Sequence, residues 1–474
     1  MRKPNVLVLM SDEHNACVCG FNGNPLARTP SMDALARRGV VFEQAYCNSP
    51  LCSPSRHSMT AGKYPHRVSA WNNECGIADD NIPSLPRVMT AAGYDSLLCG
   101  KQHYDATRRY GFAEIGGNMN NSRLTGLGTR RDPYDLSINC AAADARFRDF
   151  RVGDDSPTLQ HDRAVTNGVV HFLANRRVSD RPFFLFAGYE APHFPLMVPA
   201  GIHQRYAGRI PLPGIPAGHL ERLPSNYQHL RRGFGTINVP DDITRAGREL
   251  YYGLTELLDR EIGVVLDALD RTPFAADTVV IYTSDHGENM GEHGLWWKNS
   301  MFDTSCRVPL IVSWPQRWKP AQRRAAVCSL LDVVQTVVDV AQGCAPEDWN
   351  GDSLAPLLDD PSYAWKDHAV SEYYGHNVAS GYAMIRAGEW KYCYHTSPRG
   401  DMRPERELYD LARDPGEFNN LAGDELEKPR IVVLEERLFR ELGEHPEETE
   451  RRARFELARG YGRTPAGRSL GQAN

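Results

Sequence analysis

The chain has 474 residues, too many for one ordinary core, so a large domain with a smaller companion is expected. Its hydrophobic fraction of 41% and charged fraction of 24% are those of a soluble globular protein. A net charge of −6 gives no reason to expect nucleic acid as a partner, although basic groups inside a cleft could still serve a small anion. At the N-terminus, Arg2 and Lys3 precede an apolar run at residues 6–10. That run is too short for a signal peptide and lacks a small-residue cleavage site, so it reads as the first buried strand. Thr29-Pro30 opens a helix with proline at the first helical position, where its missing N–H costs nothing, and Gly39 closes it. Further strands are read at residues 96–99, 183–189, 278–283 and 308–313. A long amphipathic helix is read at about 243–269, with Leu250, Leu254, Leu258, Ile262, Val265 and Leu269 on one face, and another at 330–341. Beyond residue 345 come short strands at 369–374, 381–385 and 390–394, the last two joined by a turn at Ala387-Gly388-Glu389, then a helix near 431–442.

Apolar strands without clean alternation, separated by helices, indicate an α/β fold with a large, mostly parallel sheet covered on both faces. A domain at residues 1–345 followed by a smaller α+β domain at 346–474, with a short antiparallel sheet, is expected. Residues 124–155, rich in Arg, Asp and Gly, read as an active-site insertion. The charged tail from Glu444 reads as loosely held or exchanged between subunits, which leaves a homo-oligomer open. No segment is long enough to span a bilayer, so no membrane partner is expected. Eleven cysteines, an odd number without a paired framework, read as mostly reduced thiols and point to the cytoplasm. Cys17 and Cys19 lack a second pair at zinc-finger spacing.

Polar residues follow four of the strands: Asp12-Glu13, Gly100-Lys101-Gln102-His103, Ala191-Pro192-His193 and Ser284-Asp285-His286-Gly287. The carboxyl ends of parallel strands lie at one edge of the sheet, where open α/β sheets bind ligands, so these groups converge on one site. Taken singly, a strand-end acid can also be a helix cap, and a histidine a structural one. Cys52-Ser53-Pro54-Ser55-Arg56, continuing through His57 to Lys63, supplies a cysteine just ahead of a short helix near Pro54. A helix N-terminus favours an anion.

Cys52-x-Pro54-x-Arg56, Gly-Lys101-x-His103 and the run from Thr283 to Trp296 together resemble the sulfatase family of the alkaline-phosphatase superfamily. The stretch Glu407-Leu408-Tyr409-Asp410-Leu411, with Asp414-Pro415-Gly416-Glu417 and Asn419-Asn420-Leu421, resembles that family's closing element. The resemblance spans roughly residues 4–422. It implies that Cys52 is oxidised to formylglycine by a formylglycine-generating enzyme. One hydroxyl of the hydrated aldehyde would attack sulfur, and the other would release sulfate. Sulfate esters carry a tetrahedral anion, so a divalent cation and cationic side chains are needed around it. The implied metal set is Asp12, Glu13, Cys52, Asp285 and His286. Where the family commonly has two aspartates and Asp-Asn, this chain has Asp12-Glu13 and Asp285-His286. The histidine form resembles the choline-sulfatase-like branch and widens the choice of ion from calcium to manganese. By resemblance, Arg56 pairs with the diol or metal-bound oxygens, and Lys101 clamps sulfate. His103 takes the diol proton, His193 contacts the sulfate or leaving oxygen, and Lys298 adds positive charge at that oxygen.

The expected substrate is a small sulfated molecule: a choline, aryl or sugar sulfate. A quaternary ammonium would want an aromatic cage with a carboxylate, for which Trp71, Trp296, Trp297, Tyr373, Tyr374 and Glu372 are the available residues. A phosphonate monoester or phosphodiester hydrolase of the same superfamily, and a catalytically inactive binding protein, are the alternatives. His14, His57, His66 and His293 receive no role.

Overall fold

The computed structural model describes residues 3–117, 119–120 and 146–460. Most of the 124–155 insertion therefore lies outside the described residues. The main sheet has eight strands: β1 (Asn5–Asp12), β2 (Val40–Tyr46), β3 (Asp95–Gly100), β4 (Ala113–Glu114), β5 (Phe183–Pro192), β6 (Thr278–Ser284), β7 (Arg307–Ser313) and β8 (Gln322–Ser329). Their order is β8-β2-β7-β6-β1-β5-β3-β4. All neighbours run parallel except β7, which is antiparallel to β2 and β6. The expected mostly parallel α/β sheet is present. All eight residues of β1 are buried, which explains why its sequence is apolar without alternation.

The long helix spans Asp241–Asp270 and lies against the Pro157–Asn175 helix and β5. The helix opened by Thr29-Pro30 spans Pro30–Arg38. A second sheet is antiparallel, in the order β9 (His368–Tyr373), β10 (Tyr382–Ala387), β11 (Trp390–His395) and β12 (Glu405–Asp410). Gly388, at φ 54, sits in the two-residue turn joining β10 to β11. The Lys428–Leu442 helix packs on this sheet through Ile431, Leu434, Leu438 and Leu442.

The expectation of a loosely held tail from Glu444 fails over its described part. Residues Pro446–Ala458 form a helix docked by polar bonds as well as by buried Ala453. Glu456 accepts from Ser69 at 2.9 Å and from the Trp71 indole at 2.6 Å, and Glu450 accepts from the Gly381 N–H at 2.8 Å. A charged sequence here marks bonds made across a packed surface, and charge alone does not distinguish that from a solvated tail.

Candidate active site

The site is built by register. Ser11 of β1 pairs with Ser284 of β6, so Asp12 and Asp285 leave the sheet side by side. Met10 and Gly100 each pair with Gly188 of β5, which brings the Lys101 and His193 loops to the same edge. Gly100, at φ 89, allows this approach, because a Cβ there would meet the Gly188 carbonyl at 2.2 Å. The Cys52–Ala61 helix is buried along its whole length and starts at Cys52. Ser55 Oγ donates to the Asp285 carbonyl at 2.7 Å, which ties that helix start to the end of β6.

Cys52 Sγ lies 3.2 Å from His286 Nε2, 3.2 Å from Lys298 Nζ and 3.6 Å from Asp12 Oδ1. Burial opposes its ionisation. Lys298 and His286, helped by bonds from His103 and His193, outweigh that and hold the thiol well below its ordinary range. Arg56 is fully buried and bridges the two aspartates: NH2 to Asp12 Oδ2 at 3.1 Å and Nε to Asp285 Oδ2 at 2.8 Å. Lys101 Nζ reaches the same Asp12 oxygen at 2.9 Å. Burial and the Cys52 thiolate push the Asp12 carboxyl up, but Lys101, His193 and Arg56 prevail and leave it well below the usual carboxylate range. His286 is pushed up to about 9, because Asp285 and Cys52 overcome its burial.

One ligand atom from each of Asp12, Cys52, Asp285 and His286 lies within 4.8 Å of the others. Asp12 Oδ2 is taken by two cations, while Oδ1 faces Cys52 at 3.6 Å, His286 at 3.8 Å and His193 at 4.0 Å. Hard carboxylate oxygens with one imidazole suit a divalent cation, so these residues fit one. Glu13 belongs to a second cluster with Asp12 and His193. Its Oε2 is held by Lys298 at 2.9 Å and lies 3.3 Å from His193. Burial pushes the Glu13 carboxyl up to about 7, with Lys298 and His193 offsetting part of the rise and Glu288 adding to it.

Several residues at the site went unread in the sequence. Gln102 Oε1 accepts from Arg56 at 3.3 Å, and Asn120 Oδ1 accepts from the Gln102 N–H at 2.8 Å. Glu288 accepts the N–H groups of Met290 and Trp297 and so shapes the loop carrying Lys298. Its place inside the run from Thr283 to Trp296 was the available signal. The unassigned histidines make their contacts elsewhere. His14 bonds Tyr282 at 2.6 Å, with burial pushing its ring down to about 4, and His66 bonds Glu372 at 2.9 Å. His293 stacks on Phe302, and His57 packs against Tyr104 and Tyr110. The aromatic candidates do not form one cage. Trp71 and Tyr374 pack together in a separate cluster, and Trp296 and Trp297 pack with Phe147 and Phe150.

Comparison with known proteins agrees with this geometry. The family model described as Sulfatase matches residues 4–344, and one described as N-sulphoglucosamine sulphohydrolase, C-terminal, matches residues 291–444. A choline-sulfatase of Rhizobium meliloti (strain 1021) is 30% identical over 466 residues, covering 91% of this chain and 84% of that one. Arylsulfatase K of Gallus gallus is 28% identical over 471 residues, covering 94% and 83%. Among solved structures, a protein in complex with its substrate D-glucosamine-2-N,6-O-disulfate superposes with a TM-score of 0.72 at 22% identity, covering 94% of this chain and 100% of that one. The phosphonate monoester hydrolase of Agrobacterium radiobacter superposes with a TM-score of 0.73 at 22% identity, covering 93% and 95%. At these identities the two structural likenesses speak for the fold.

Proposed function

The chain belongs to the sulfatase family and is a sulfuric ester hydrolase, and we propose that it works through Cys52 matured to formylglycine, beside one divalent cation held by Asp12, Asp285 and His286. The observation that carries this reading is the placement of Cys52 Sγ within 3.2 Å of both Lys298 Nζ and His286 Nε2, at a helix start and beside two aspartates. The matured residue would supply a hydrated aldehyde as nucleophile, and the cation, calcium or manganese, would draw electron density from the ester oxygens. Lys101, on Asp12, and Lys298, on Glu13, present ammonium groups to the sulfate and to the leaving oxygen. His193 Nδ1 donates to the Phe194 carbonyl at 2.6 Å, so Nε2, facing Glu13 and Asp12, holds a proton for the leaving alcohol when the ring is an imidazolium. His103 hydrogen-bonds Cys52 and can accept the proton whose loss frees the sulfate. Arg56 spans both aspartates and fixes the spacing of the oxygens that would hold the cation.

The substrate is a small sulfate ester of a choline, aryl or sugar alcohol, and maturation needs a formylglycine-generating enzyme as partner. Mass spectrometry of the Cys52 peptide, from protein made with and without that enzyme, tests the reading. We expect aldehyde in the first preparation and thiol in the second, with aryl sulfate turnover only in the first. Equal turnover by the thiol form would refute the nucleophile assignment. An aryl phosphonate assayed in parallel measures the alternative activity directly, and a faster phosphonate rate would replace the sulfate reading.

A further inference from the structure

Cys52 is both the nucleophile's precursor and a member of the cation cluster, so the cluster's chemistry depends on whether that residue is still a thiol. Cys52 Sγ, His286 Nε2 and Asp12 Oδ1 form a triangle with sides of 3.2, 3.6 and 3.8 Å. Asp285 Oδ1 stands 3.7 Å from the same imidazole nitrogen. Around a tetrahedral zinc ion, with bonds of about 2.3 Å to sulfur and about 2.0–2.1 Å to nitrogen and oxygen, neighbouring donor atoms are about 3.3–3.6 Å apart. The triangle therefore has nearly the dimensions of one face of a zinc tetrahedron, with Asp285 beside it as the fourth donor.

The donors are oriented for such an ion. His286 Nδ1 donates to the Gly287 carbonyl at 2.9 Å, so in the neutral ring the Nε2 lone pair faces the sulfur and the carboxylates. Asp12 Oδ2 carries the salt bridges to Arg56 and Lys101, and Oδ1 is the oxygen turned towards the sulfur. All four residues are fully buried, while Lys101 and His193, which reach Asp12, are partly exposed, so the cluster lies one side chain below the surface. A hard cation gains little from this set, because calcium takes about six to eight oxygens. A thiolate beside an imidazole instead selects a softer ion, zinc above all. Oxidation of Cys52 to formylglycine removes the sulfur and leaves oxygen at that position, which suits calcium or manganese.

Resting on the formylglycine reading above, we propose that the unmatured chain carries a zinc site made of Cys52, His286, Asp12 and Asp285, and that oxidation of Cys52 switches the site from zinc to a hard cation. Binding needs no redox partner: the thiol releases its proton and a sulfur lone pair bonds the ion. The full chain made without a formylglycine-generating enzyme, verified by mass as the thiol and stripped with a chelator, is titrated with cobalt(II) chloride as a spectroscopic substitute for zinc. We expect one cobalt per chain and a sulfur-to-cobalt charge-transfer band in the near ultraviolet, displaced by equimolar zinc and untouched by excess calcium. Cys52→Ser, whose oxygen stands in for that of the matured residue, should abolish the band and weaken zinc binding by about 10²-fold. Matured wild-type protein should show the same loss, which supplies the comparison if the serine variant fails to fold. The Cys52→Ser arm also separates this site from the Cys393, His395 and Glu407 cluster, the other place among the described residues where a cysteine and a histidine could take cobalt. Cobalt bound without the band, a band that survives Cys52→Ser, or equal zinc affinity of the thiol and serine proteins would overturn the proposal. Matured protein that hydrolyses aryl sulfates while the thiol form ignores zinc would remove this inference and leave the catalytic reading standing. Zinc binding as expected, with no turnover after maturation, would do the reverse.

Discussion

Among the described residues, two buried clusters combine cysteine, histidine and carboxylate, and they behave in opposite ways. Around Cys52, a helix start, Lys298 and His286 favour the thiolate, while Arg56 bridges Asp12 and Asp285 and Lys101 pairs with Asp12. In the C-terminal sheet, Cys393, His395 and Glu407 also bring three ligand atoms within 4.8 Å. There, burial pushes the Cys393 thiol well up, and Glu407 adds to the rise. Asn226 Oδ1 accepts the N–H groups of Ala379 and Ser380, so its amide nitrogen donates to His395 Nδ1 at 3.2 Å. His395 must then carry its proton on Nε2, which donates to Glu407 Oε1 at 2.7 Å, while Tyr409 donates to Oε2 at 2.7 Å. Every member is spoken for. The same residue types make a reaction centre where cations are placed against them, and a structural lock where neutral donors close them.

The largest expected effect breaks the first cluster. Cys52→Ala should lower kcat/KM on an aryl sulfate by at least about 10³-fold while circular dichroism stays native, and retained turnover would sink the nucleophile role. Next come chelation and Asp285→Asn, each expected to remove most of the activity; full activity after metal stripping would refute the cation's part. Lys298→Ala should cost roughly 10²–10³-fold, with the loss growing as the leaving alcohol becomes more basic, since its positive charge acts at that oxygen. The second cluster should answer differently. His395→Ala should destabilise the fold by about 1–3 kcal/mol in urea titrations by removing one donor from Glu407 and one acceptor from Asn226, yet turnover per folded molecule should stay within about twofold. A loss of turnover without a loss of stability would mean that the C-terminal lock takes part in the reaction.

What the sequence allowed to be read follows the same division. Strand ends were legible because a buried parallel strand is an apolar run and its carboxyl end is marked by the first polar residues. Asp12, Lys101, His193 and Asp285 were read that way, and β1, β3, β5 and β6 appear within three residues of the readings at each end. β2 and β8 were passed over: Val40–Tyr46 contains Glu43 and Gln44, and Gln322–Ser329 opens with Gln322, Arg323 and Arg324, so neither is a clean apolar run. Cys393, His395 and Glu407 drew no reading as a set, because they come together only across neighbouring strands of the second sheet.

The smallest effect is one of sign, and it separates the clusters most cleanly in chelated, unmatured protein. Burial opposes ionisation of Glu407, but bonds from His395, Tyr409 and Tyr227 keep its carboxyl below the ordinary value of 4.5. The unfolded chain therefore binds the proton first as pH falls, so the stability due to Glu407 is complete above 4.5 and is lost as pH drops through its lower folded value. Glu13 runs the other way. Its carboxyl is pushed up to about 7, so the folded chain keeps a proton that the unfolded chain has already released, and stability drains as pH rises from 4.5 to 7. Each group can change the slope by no more than one proton, about 1.4 kcal/mol per pH unit. Urea midpoints measured across pH should show Glu407→Gln flattening only the acid limb and Glu13→Gln flattening only the limb between 4.5 and 7. If both substitutions moved the same limb, the two clusters would share one electrostatic character, and the distinction between reaction centre and lock would fail.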